Sequence, residues 1–438
     1  GSARTDRAVL RRAVRASLET VVCYMADLTT TRSTAAAVRA NGRRTWPVVA
    51  LGTMCSALPV FLTGALGVQL SDDVGLSATQ IGLAMGASFT AAALMSAPMG
   101  RVAERLGPRR GFRLGITTSA VSMLGIAAFA RSFWQFAALL GIAGMANALN
   151  QPSANLMLVT HIDPERLGFA LATKQSGMPA AALLGGAAVP AIALTVGWQW
   201  AYVSGATLAL VAISGFPGDV GGRAVRNTST TESGARRSAR PDLGIPLLVL
   251  YATVGMLGAT SAGAMVGFIT SGAEASGLDP GIAGLVLSLG SFVGIISRLA
   301  QGWQVDRLGI LPIQRLVWLY GLGALGVLVL AIDVPLTYLL APIPAFAFGW
   351  SWPGLFNLSV VRNNPSAPAA ATGISQIGVF VGAALGPALG GVIIDNGSYR
   401  LLWVFGASTL LLGSLLAVYL RTRIIAARRL AEAAAVTL

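Results

Sequence analysis

Lys174 and Arg298 are two ionisable residues that fall inside long apolar runs of this sequence, and both are cations. A guanidinium grips a carboxylate with two parallel N–H bonds, whereas a lysine offers a point charge that titrates when buried. Lys174 is also the only lysine in the chain. All seventeen acids fall in predicted loops, tails or helix ends. Two buried cations without a resident acid require a mobile anion, so the expectation is an anionic substrate. Other readings stand beside it: Arg298 reaches the membrane interface along its stem or pairs with Asp306, and Lys174 is structural. Asn147, Gln151 and Asn155 repeat every four residues, which makes them one stripe of a helix.

The elements that must hold these residues are apolar. Of 438 residues, 54% are hydrophobic and 11% charged, with a mean hydropathy of +0.69. Soluble domains carry about 25% charged residues, so the composition argues against a cytosolic enzyme. The chain length fits about twelve membrane helices of ~20 residues each. We place them near residues 46–70 (α1), 79–100 (α2), 112–130 (α3), 134–159 (α4), 168–193 (α5) and 198–216 (α6). The second set lies near 244–269 (α7), 280–303 (α8), 312–332 (α9), 336–360 (α10), 369–394 (α11) and 398–420 (α12). Lys174 then lies ~10 Å above the start of α5, and Arg298 ~6 Å above Gly302 in α8.

The net charge of +14 would suggest nucleic acid in a soluble protein. Here its distribution gives another reason. Nine Arg lie in residues 1–45, and others crowd the α2–α3 loop, the α6–α7 segment and the end of the chain. The opposite loops hold Arg131 and Arg400 with acids such as Asp72, Asp73, Glu274 and Asp279. By the positive-inside rule both termini are expected in the cytoplasm, in a multi-pass plasma-membrane protein that binds no nucleic acid. Residues 217–243 are polar and read as a cytoplasmic linker between bundles 46–216 and 244–420, with 421–438 as a cytoplasmic tail. Residues 1–45 read either as a disordered basic tail or as containing an amphipathic helix lying on the bilayer. No leader-peptide pattern opens the chain.

The two halves repeat at a spacing of about 201 residues. Gly100-Arg-Val-Ala-Glu104-Arg105-Leu-Gly107-Pro-Arg109-Arg110 after α2 matches Gly302-Trp-Gln-Val-Asp306-Arg307-Leu-Gly309 after α8. Gln175, Gly177, Ala181 and Gly185 of α5 align with Gln376, Gly378, Gly382 and Gly386 of α11. Parallel six-helix repeats mark transporters with a midplane site between the halves. The loop after α2, echoed after α8, resembles the signature loop of the major facilitator superfamily, with Glu104 where that family usually has Asp. The resemblance implies an all-α membrane fold of twelve helices in two pseudo-symmetric bundles, working by alternating access. It also implies that Gly100, Glu104, Arg105, Arg109, Gly302, Asp306 and Arg307 form a gate, Gly100 permitting close helix approach. Topological anchoring is the other reading of these Arg residues.

In that arrangement α5 and α8 meet across the halves, so Lys174 and Arg298 are expected to face one cavity. The path is lined by α1, α4, α7 and α10. Its candidates are Asn147, Gln151, Asn155, Tyr251, Trp350, Trp352 and Asn357, joined by Gln376 of α11. Interhelical glue or core packing is the alternative for each. Arg298 and Gly302 are similar to the pattern of the oxalate/formate and monocarboxylate branches, where an α8 Arg contacts the carboxylate. No Walker loop, Cys/His cluster or nucleophile–base pair occurs, so no cofactor, metal or enzymatic step is expected. The expected function is secondary transport of a small organic anion by a monomer, with a proton or an exchanged anion as coupling partner. A proton-coupled multidrug exporter and a transporter-like sensor are the alternatives.

Overall fold

A computed structural model describes residues 47–161, 170, 173–214, 242–308 and 311–436. The expected interfacial segment 1–45 and most of the linker lie outside these residues. Proline sits in the first turn of many helices, where its missing N–H goes unneeded. The first half holds α1 (Pro47–Ala65), α2 (Ala78–Leu106), α3 (Pro108–Phe129), α4 (Phe133–His161), α5 (Thr173–Val196) and α6 (Trp198–Ser214). The second holds α7 (Ile245–Ala275), α8 (Pro280–Leu308), α9 (Pro312–Leu330), α10, α11 (Pro368–Asn396) and α12 (Tyr399–Val436).

Local signals in the sequence set several of these boundaries. A short helix, Gly67–Val74, follows α1 and stops at Gly75, whose φ of 75° is left-handed. Ser77 and Gln80 form a reciprocal capping box that starts α2. α10 differs from the single helix expected. It is three pieces, Pro335–Leu340, Pro342–Gly349 and Pro353–Arg362, each opened by a proline that cannot extend the preceding ladder. α5 contains a π-helical stretch, Val189–Ala193. α12 also differs: residues 421–436, expected as a tail, continue the helix.

Nine helices of the described residues are long and apolar enough to cross a membrane. The other three have visible reasons to fall short. α4 carries the amides of Asn147, Asn150, Gln151 and Asn155, α6 has 17 described residues, and α10 is broken. Within the first half α2 packs on α4, and α3 on α4 and α6. Within the second, α7 packs on α11 and α12, and α9 on α12. The halves meet through two symmetric pairs, α2 on α11 and α5 on α8.

Both cross-half pairs are tightest at the end that carries Asp72, Asp279 and Asp395, here the acidic end. A Cβ on Gly82 would land on the carbonyl oxygen of Pro387, so α2 and α11 touch backbone to backbone. A Cβ on Gly186 of α5 would likewise meet the Gly284 carbonyl of α8. Ser288 Oγ donates to the Leu183 carbonyl at 2.9 Å across the same pair. Asp395 of α11 accepts from the backbone N–H groups of Ala78 and Thr79, at 3.2 and 2.8 Å. A carboxylate of one half thereby caps a helix of the other, where the dipole favours negative charge. The end carrying the α2–α3 arginines is looser. Gly100 and Gly302 have nothing within 4 Å of a built Cβ, so the close helix approach expected at Gly100 is absent.

Candidate functional site

Between the halves lies a cavity of about 420 Å³, within the range of small-molecule sites. Nine of the ten residues expected to line a path do so: Lys174, Arg298, Asn147, Gln151, Asn155, Trp350, Trp352, Asn357 and Gln376. Tyr251 does not. Its hydroxyl lies 2.7 Å from Ser359 Oγ and accepts from Asn363 Nδ2 at 3.1 Å, inside the core of the second half.

Lys174 is 2% exposed. Its ammonium donates to Asn155 Oδ1 at 2.7 Å and to the Gln151 carbonyl at 3.5 Å. Asn155 is itself exposed, so one side chain separates the ammonium from water. The amide stripe of α4 divides by task. Asn147 Oδ1 accepts from Ser56 Oγ and from Gln151 Nε2, both at 3.3 Å. Asn150, one position away, donates to Ser56 Oγ at 2.8 Å and to the Gly52 carbonyl, tying α4 to α1.

Arg298 is held by carbonyls. Its Nε and Nη2 donate to the Trp350 carbonyl at 3.2 and 2.7 Å, and Nη1 donates to the Gln175 carbonyl at 2.9 Å. The guanidinium lies 5.1 Å from the Trp350 ring centroid, a cation–π distance. Both acceptors are free for a local reason. The helical partner of the Gln175 carbonyl would be residue 179, which is Pro179 and has no N–H. Trp350 sits in the break between two pieces of α10, outside any helical ladder. Pro179 and the break in α10 therefore create the cradle that fixes Arg298, and through Gln175 it joins α8 to α5. Neither cation meets a carboxylate among the described residues, and no acid lines the cavity. The side chain of Asp306 lies outside the described residues.

The remaining wall is aromatic and soft, with Phe61, Phe89, Phe356, Phe380, Met85 and Met178. The Phe61 and Trp350 rings meet edge to face at 5.9 Å across the halves. Sequence reasoning missed Phe61, Phe89, Phe380 and Gln175. Its repeat partner Gln376 and the following Pro179 were the clues to Gln175. Of the expected gate, Glu104, Arg105 and Arg307 are exposed and Arg109 is half-buried. The Arg307 guanidinium lies 5.2 Å from the Trp303 ring. All lie at the helix ends, away from the cavity lining.

A sequence model of the Major Facilitator Superfamily matches residues 49–367. The chain belongs to the major facilitator superfamily. It is a multi-pass membrane protein of a transporter family. The fold of this superfamily member also matches solved structures. A crystal structure of the nucleoside transporter NupG is 14% identical, with a TM-score of 0.67, over 86% of this chain and 99% of that one. A D-xylose-proton symporter is 13% identical with a TM-score of 0.67, over 85% of this chain and 96% of that one. At such identity the likeness is one of fold. A search of curated proteins gives no match.

Proposed function

We propose that this superfamily member is a secondary transporter of a small organic anion, a carboxylate on an apolar or aromatic body. One observation carries the reading: among the described residues the cavity holds Lys174 and Arg298 and no acidic residue. A bound carboxylate would neutralise one of two charges that are costly at this depth. The aromatic wall suits an apolar body, and the amides of Asn357, Gln376 and Gln175 suit its polar substituents. The Arg-rich loops support a cytoplasmic position for both termini, in the plasma membrane. The acidic end is then outside and sealed, and the cavity belongs to an inward-facing state of an alternating-access cycle.

A second reading draws on the nucleoside and xylose transporters of the same fold and on the amides in the wall: a neutral polar solute. Uptake into proteoliposomes of labelled lactate, mandelate, a nucleoside and xylose separates the two. The anion reading expects carboxylate uptake, lowered about tenfold to hundredfold in Arg298→Ala through loss of charged hydrogen bonds. Uptake of the neutral solutes alone, or full mandelate transport by both Arg298→Ala and Lys174→Ala, would overturn it.

A further inference from the structure

Resting on the anion reading, we infer that Lys174 is the proton-coupling site of the transporter, and that one proton crosses with each monocarboxylate.

Among the described residues, the ionisable groups that line the cavity are Lys174 and Arg298. An arginine does not give up its proton in a protein, so only Lys174 can exchange one. Every described element packed around Lys174 presents neutral groups or Arg298. From α4 come Gln151 and Asn155, both acceptors. From α1, Ala50, Thr53 and Met54 lie against the neighbouring turn at Gly177. From α8 comes Arg298, bound to the carbonyl of Gln175 beside Lys174. Trp350 of α10, which lies against Arg298, lines the same cavity and is neutral. Cys55 of α1 lines no part of the cavity, and the side chain of His161 at the end of α4 lies outside the described residues. Among the described residues the Lys174 ammonium thus has neutral acceptors but no counter-ion, and no acid stands by to take its proton. It must lose that proton to water, which reaches Asn155 at the far end of a 2.7 Å bond.

Charge balance across the cycle gives the stoichiometry. With Lys174 protonated and a monocarboxylate bound, the cavity carries one net positive charge. With the anion gone and Lys174 neutral, it again carries one, on Arg298. If Lys174 kept its proton, the empty transporter would have to reorient with two uncompensated cations in a low-dielectric site, which is costly. Releasing the proton with the anion avoids this. The ammonium N–H bond breaks on the release side, water takes the proton, and the amine regains one on the other side before the next anion binds. Net movement is one proton and one anion together, so the cycle carries no current.

Labelled mandelate in proteoliposomes tests this, with protein-free vesicles as control. The wild type should accumulate mandelate about tenfold for one pH unit, acid outside, as one proton per anion requires. A potassium–valinomycin potential should leave that accumulation unchanged. K174R keeps a charge but not an exchangeable proton, so gradient-driven accumulation should vanish while mandelate exchange is measurable. A second readout does not depend on a variant folding: in weakly buffered detergent solution at pH 8, the wild type should take up close to one proton per mandelate bound. K174R, or K174Q if K174R does not fold, should take up none. Undiminished pH-driven accumulation in both variants would overturn the inference, as would wild-type binding without proton uptake. Exchange without gradient-driven accumulation by the wild type would sink this inference alone. A wild type that neither binds nor moves mandelate would sink the anion reading and this one with it.

Discussion

Arg298 and Tyr251 illustrate how burial alone misleads about role. Both are polar residues of apolar helices, and both are hydrogen-bonded. Arg298 gives three of its five N–H donors to two carbonyls at the edge of a cavity and keeps two, whereas Tyr251 is enclosed by its own half. Tyr251→Phe should therefore cost about 1 kcal/mol of stability and leave carboxylate uptake intact. Thermal unfolding in detergent and proteoliposome uptake measure the two effects separately. Arg298→Lys keeps the charge but cannot span Trp350 and Gln175 with a planar fork, so uptake should fall about tenfold or more. Wild-type uptake by that variant would contradict the role of the fork. The apolar setting of Lys174 and Arg298 was legible in the sequence, because charges are conspicuous in such runs. The exclusion of Tyr251 was not, because which face of α7 meets the cavity depends on the packing of α10 and α11.

At the scale of elements, prolines do more than end helices. Pro179 leaves the Gln175 carbonyl without a helical donor, and Arg298 takes its place. Pro179→Ala supplies the missing N–H, which then competes with the guanidinium. The α5–α8 link at Arg298 should weaken, seen as faster alkylation of a cysteine placed at Ser96, a cavity residue. An unchanged alkylation rate would mean that the link does not restrain that end. The two breaks in α10 were foreshadowed by Pro342 and Pro353, yet a hydropathy reading joins the pieces because the intervening residues are apolar. Helix positions were otherwise well marked by apolar runs and capping residues. The end of α12 was not, since arginines after an apolar run signal a membrane boundary but are themselves good helix formers.

At the scale of the molecule, the internal repeat and the loop motif were enough to read the architecture, because both are properties of the sequence. The conformational state was not, because the same sequence must support more than one. The described state is sealed where α2 meets α11. A Cβ built on Gly86 lies 3.6 Å from Ala388 Cβ, within the separation that a disulfide spans. In a background without Cys23 and Cys55, the pair Gly86→Cys and Ala388→Cys should cross-link under mild oxidation. Transport should stop on oxidation and return with reductant. Continued transport by the cross-linked protein would mean that this seal need not open.

The length of α12 has a mechanical consequence. Its 38 residues span about 57 Å, whereas a bilayer core is about 30 Å thick. The excess is a lever fixed to the second half. A helical fusion continued in phase from it would swing with that half, and its tip would travel farther than the helices around the cavity. The protein thus carries its own pointer, from which a distance-sensitive fluorophore pair could read the rocking of the halves without any label near the cavity.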